Sequence, residues 1–201
     1  MRQIYLLIGL LCYMLQPLAA QNDSTNRTHR SLADGKLMEI KKIITLSPTQ
    51  KTMIREAYNK NHQTSDSILY YVADPTQAAI LKYQADKTLQ TTLMSALTEA
   101  QKVKYLTIMG TPDVMAKAEA KVDLLRQNGN YSEQELQQKK QEIFNYLIKE
   151  KVVYLRDKYN IAKQKDNIHK LKETEPASLK ESESLEKLKA KGKIDKGKID
   201  W

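Results

Sequence analysis

Cysteine is almost absent from the chain. The one copy, Cys12, lies within an apolar run near the start and follows Gly9-Leu10-Leu11. No small residue stands directly before it, so lipidation there is not expected. Beyond that run there is no thiol for a disulfide framework, a catalytic nucleophile or a Cys-based metal site. Glycine and proline are scarce, with six and five copies, and Phe144 and Trp201 are single copies of their kind. No run of alternating β-branched residues calls for a sheet. After Ala20 no apolar stretch is long enough to span a bilayer. The three histidines, His29, His62 and His169, are far apart and lack metal-ligand spacing. There is no P-loop, no G-x-G-x-x-G and no nucleophile elbow. Glu173 and Glu175 sit in a charged stretch and read as solvated side chains. No catalytic residue, metal site or cofactor is expected, and the chain reads as non-enzymatic.

What is present begins with a secretory pattern. Arg2 precedes the apolar stretch Ile4 to Leu15, and Pro17-Leu18-Ala19-Ala20 leads into the polar Gln21-Asn22-Asp23-Ser24. A positive start, a short apolar centre and small residues at the end describe a cleaved signal peptide, with cleavage near Ala20. The expected location is therefore periplasmic or secreted.

The chain is basic, with 33 Lys and Arg against 24 Asp and Glu, a formal charge of +9. Arg2 supplies one of those charges, so the remainder carries +8. Such a charge attracts acidic chains and anionic surfaces and makes encounter salt-dependent. Nucleic acid is not expected as a partner, because no aromatic stacking pattern accompanies the lysines. From Lys187 to Trp201 there are six lysines against two aspartates. That Lys-rich end, loosened by Gly192 and Gly197, is the natural contact for an anionic membrane surface.

Lys, Gln, Glu, Ala and Leu dominate, which favours helix. The polar residues 21–35 read as a flexible leader. Leu37, Ile40 and Ile44 then form a helical stripe, and Ser47-Pro48 starts a helix expected to reach about Asn61. Asp74-Pro75 repeats that start, followed by Ala78, Leu81, Ala85, Leu89 and Leu93. Thr98 is placed to cap a helix with Val103, Leu106 and Met109 that Gly110 ends. Thr111-Pro112 opens another, striped by Val114, Ala118, Val122 and Leu125, and Asn128-Gly129 stops it. Ser132 and Glu135 form a capping box for a long helix reaching about Lys172, with Leu136, Ile143, Leu147, Leu155 and Ala162 as buried candidates. Pro176 breaks the chain, and Ser178 with Glu181 caps a marginal last helix. The expected fold is all-α: long amphipathic helices in hairpins over 36–110, a further helical hairpin over 111–175, and a loose basic tail over 176–201, partly helical or disordered.

Two segments match one another. Leu46-Ser47-Pro48-Thr49-Gln50-Lys51 and Leu97-Thr98-Glu99-Ala100-Gln101-Lys102 share the pattern Leu-Ser/Thr-x-x-Gln-Lys. The hydroxyl of Ser47 or Thr98 can accept from the third helical N–H, while Gln50 or Gln101 reaches back to the cap N–H. Lys51 and Lys102 occupy the position a hydrophobic staple would use, so Leu46 and Leu97 must pack where helices meet. Two such boxes behind a signal peptide, in a basic helical chain, resemble the LTxxQ (Spy/CpxP-like) family of periplasmic proteins over Leu37 to Met109. The first copy has Ser47 where that family usually has Thr, and residues 111–201 have no counterpart in its short members.

The resemblance implies a hairpin-rich cradle, often a homodimer, that holds unfolded clients without ATP. The residues offer a physical basis for that role. Lysines interleaved with Leu, Ile, Met and Tyr provide weak apolar contact beside long-range attraction. Lys51, Met53, Ile54, Arg55 and Tyr58 are the candidate client-binding residues. The alternatives are an envelope stress adaptor or structural protein that docks on a folded partner, and a cationic binder of lipid headgroups.

Overall fold

The computed structural model describes residues 25–191. The proposed signal segment 1–20 and Gly192 and Gly197 of the tail lie outside the described residues. The chain divides into two compact units, Met1–Thr98 and Glu99–Trp201. Seven helices and no strand occur among the described residues, so the fold is all-α and built from helical hairpins. No helix among them is long and apolar enough to cross a membrane.

In the first unit, residues 25–43 form helix α1. Over 25–35 this corrects the flexible leader expected for 21–35, whose first four residues lie outside the described ones. The stripe begun by Leu37, Ile40 and Ile44 extends backwards through Ala33 and His29, and all five are buried. Steps of three and four keep them on one helical face, while the Asn, Ser and Thr residues that suggested a loop take other positions. Helix α2, Pro48–Tyr71, starts at Ser47 with a complete capping box and continues ten residues beyond the expected end near Asn61. No glycine or proline stops it, and buried Ile68 secures its last turns. The pairs Asp34–Arg55, His29–Asp66 and Asn26–Gln63 set α1 antiparallel to α2. After a short connection, helix α3, Pro75–Ala96, begins at Asp74, whose carboxylate accepts from the Thr76 N–H at 2.8 Å. α2 and α3 form an antiparallel hairpin, and Asn61 donates to Asp86 across it.

In the second unit, helix α4 runs unbroken over Glu99–Gln127. The boundary expected at Gly110 and the helix start at Thr111-Pro112 are therefore corrected. Gly110 is a packing residue: a Cβ there would meet Lys151 Cγ at 2.8 Å. Pro112 lacks the N–H that would reach Ile108, and the Thr111 hydroxyl donates to the Thr107 carbonyl one turn back at 2.8 Å. α4 ends at Gly129, whose φ of 72° lies in the left-handed region glycine tolerates.

Helix α5, Glu133–Arg156, opens on the Ser132–Glu135 capping box. The single helix expected to Lys172 is divided. Asp157 ends α5, and Asn160 caps α6, Ile161–Lys172, by accepting from the Lys163 N–H. Asp157 is buried and gathers Arg156 and Asn167, a cluster that an uninterrupted helix would not allow to converge. Of the expected core positions, Leu136 and Ile143 are buried, Leu147 and Leu155 half-buried and Ala162 exposed; Tyr146 joins them unforeseen.

Helix α7, Ala177–Ala190, is a structural element where a marginal helix in a tail was expected. Its first flanking residue is Pro176, not Ser178. The Ser178 hydroxyl is buried and donates to Glu142, so the expected Ser178–Glu181 box is corrected. Leu179 and Leu185 enter a core with Ala118, Val122 and Leu125 of α4 and Leu136, Ile143 and Tyr146 of α5.

Candidate binding groove

The first unit holds an open groove of about 760 Å³ between α2 and α3. Met53, Ala57, Ile68 and Tyr71 line one wall, and Leu81, Ala85 and Leu89 the other. Helical spacing explains the arrangement. Arg55, Asp66 and Gln63, which bond α1, fall on one side of α2. Met53, Ala57, Lys60, Thr64 and Tyr71 fall on the opposite side. α3 brings its Ala78–Leu93 stripe towards α2, yet Leu81, Ala85 and Leu89 remain half-exposed. The apolar face of α3 is therefore only partly covered. Glu56 and Lys60 stand among the lining residues as one charge of each sign. The remaining polar lining is uncharged: Asn61, Thr64, Ser67, Gln84, Thr88 and Thr92.

At the hairpin end of α2 the apolar surface spreads outwards. Leu69, Tyr70 and Tyr71 are 75%, 75% and 85% exposed, and Ile80 and Tyr83 of α3 are more than half exposed. Consecutive helical residues point 100° apart, so these three surround the end of α2, with only Tyr71 on the groove side. Exposed large side chains gathered at one place mark a contact region more often than scattered single ones do.

Of the five residues read from sequence as a client surface, only Met53 lines the groove. Ile54 is fully buried and is corrected to core. Adjacent helical residues point 100° apart, so Met53 and Ile54 could not share a face. Arg55 is turned to α1, where its Nε donates to Asp34 at 2.5 Å. Tyr58 is half-buried with its ring stacked 6.5 Å from His62, and Lys51 is half-buried outside the groove lining. Ala57, Ile68, Tyr71, Leu81, Ala85 and Leu89 were missed as site residues. The stripe on α3 was visible in the sequence, but its incomplete cover was not.

The first motif closes the base of this hairpin. Ser47 Oγ accepts from the Gln50 N–H at 3.2 Å, and the Ser47 N–H donates to Gln50 Oε1 at 2.9 Å. The same Gln50 side chain donates from Nε2 to the Ala96 carbonyl at 2.8 Å. That carbonyl is among the last of α3 and has no intrahelical donor. Leu46 and Leu97 are both 4% exposed, as expected of leucines packed where helices meet. In the second copy, α4 starts directly after Thr98, which puts Gln101 third in the helix. Comparison with family models, curated proteins and solved structures finds no match.

Behind the groove, on the α1 side of α2, lies a polar cluster. His29 Nε2 is 2.7 Å from Asp66 Oδ2. His29 Nδ1, His62 Nε2 and Asn59 Oδ1 are buried without a partner. Burial pushes the His62 imidazole below its ordinary range, and nearby His29 adds to the effect. Among the described residues no group of three His, Cys, Asp or Glu is placed to hold a metal ion.

Proposed function

We propose that the chain is an exported, ATP-independent, chaperone-like protein of the cell envelope that holds apolar protein segments in the α2–α3 groove. The observation that carries this reading is the groove itself: an open channel of about 760 Å³ with two apolar walls and few charges. It suits a ligand that varies in sequence, because apolar contact is non-directional. The basic charge of the whole chain adds long-range attraction for acidic unfolded chains. The signal-like residues Arg2 to Ala20 and the two Leu-Ser/Thr-x-x-Gln-Lys segments support placement in the envelope and the resemblance to LTxxQ chaperones.

The test uses residues 21–201 added to two unrelated aggregating substrates without ATP, followed by light scattering. Suppression near stoichiometric amounts is expected. Ala85→Glu, at a half-exposed groove position, should remove it while leaving the helical signal intact. Retained suppression in that variant would place client binding elsewhere.

The exposed Leu69, Tyr70 and Tyr71 favour a second reading, an adaptor docking on one folded partner. Saturation at fixed stoichiometry by a single envelope protein, with no suppression of aggregation, would select it. A homodimer joined through the same surface would show in sedimentation.

A further inference from the structure

We infer that α6, rather than the Lys-rich end, is the element through which the chain contacts anionic membrane surfaces. This does not depend on the proposed role of the groove. α6 is a regular helix of twelve with no fully buried residue: Gln164, Asn167, Ile168 and Leu171 are half-buried, Leu171 against the core, and the other eight are exposed. From Lys158 to Lys172 five lysines accompany one exposed aspartate, Asp166. Lys163 lies 3.8 Å from buried Asp157 and Lys172 acts electrostatically on half-buried Glu150 without a close ion pair, whereas Lys165 and Lys170 form no ion pair among the described residues. Lys170 and Lys172 suit the negative end of the helix, but Lys165, two turns earlier, gains little from it.

The second observation is a cavity of about 360 Å³ between α6 and the end of α5. Tyr154 and Ile168 line it together with Lys165, His169, Lys172 and Gln164. Tyr154, in that lining, is 44% exposed, and Ile161, one turn before Lys165 on the same helical face, is 55% exposed. Cations next to exposed apolar and aromatic groups match the boundary between phosphate headgroups and acyl chains. A soluble acidic peptide would satisfy the lysines and leave Ile161 and Tyr154 in water. Glu173 and Glu175 follow the helix and do not line the cavity.

The test is sedimentation of the purified chain with vesicles of phosphatidylcholine alone and of phosphatidylcholine mixed equally with phosphatidylglycerol. Binding is expected only to the mixed vesicles. A basic side chain near an anionic surface contributes about a factor of five, so Lys165→Ala with Lys172→Ala should weaken binding about twenty-five-fold. Lys196→Ala with Lys198→Ala should change it much less. Tyr154→Ser with Ile161→Ser should weaken the binding that persists in high salt. All four substituted positions near the cavity are partly or fully exposed, and circular dichroism checks that the helices remain. No binding by the parent chain would overturn the inference, as would full loss in the Lys196/Lys198 variant with the Lys165/Lys172 variant unaffected. Equal binding to soluble polyglutamate, with no effect of the Tyr154/Ile161 change, would overturn it in favour of an acidic protein partner.

Discussion

His29 Nε2 meets Asp66 Oδ2 at 2.7 Å and so ties the first helix to the second across 37 residues of chain. The pair lies beside His62, which faces His29 and Lys36 of α1 and shares α2 with Asp66. Among these neighbours only Asp66 favours a charged His62, and it does not offset burial.

This arrangement predicts an acid-sensitive first unit. The folded state holds His62 below its unfolded value, so the unfolded chain binds more protons once the pH falls below about 6.5. Stability should therefore fall as the pH drops through 6.5 towards the lowered folded value. Urea unfolding at a series of pH values reads this, and His62→Gln should flatten the profile over that window.

The two helical glycines among the described residues predict different responses to alanine. Nothing lies within 4 Å of a Cβ built on Gly35, so Gly35→Ala should stabilise by about 0.5–1 kcal/mol through helix propensity. On Gly110 the added carbon meets Lys151 Cγ at 2.8 Å and Ile148 Cδ1 at 3.3 Å. Overpacking of this kind costs about 1–3 kcal/mol, so Gly110→Ala should be neutral to destabilising despite the same propensity gain. Chemical denaturation of the two variants separates the cases.

Ser47→Ala should cost about 1 kcal/mol by removing the cap. Gln50→Ala should cost more, because its side chain also satisfies the Ala96 carbonyl. Thermal melts of the two variants against the parent chain measure the difference.

These predictions also separate what could be read in the sequence from what could not. Ser47, Asp74 and Ser132 announced their helices because a cap is local chemistry of three or four residues. Gly110 and Pro112 misled because glycine and proline are stop signals only when nothing opposes them. Here the close approach of Lys151 uses the glycine, and α4 carries the proline within it. The polar residues of 25–35 hid a helix because its face is sparse, with His29 and Ala33 as the inward positions before Leu37. For the groove, Leu81, Ala85 and Leu89 gave the right apolar stripe. How far α2 covers it depends on tertiary placement, which periodicity does not encode.

Asp157 predicts a second pH effect, in the other unit. Burial raises its carboxyl, but hydrogen bonds from Arg156 and Asn167 outweigh that and leave it lowered. Its contribution is present above the unfolded value, near pH 4, and is lost as the pH falls through the folded one. Asp157→Asn should destabilise by roughly 1–3 kcal/mol at neutral pH, since hydrogen bonds to a charged group are among the stronger ones. Amide exchange should show the largest loss of protection in α6.

The groove also sets a ruler. Its wall on α2 extends from Met53 to Tyr71, and at 1.5 Å per residue that is roughly 27 Å of helix. An extended peptide rises about 3.3 Å per residue, so a stretch of about eight residues fills the channel from end to end. Affinity in a series of apolar peptides should therefore climb with length and level off near eight residues, whatever their order of side chains.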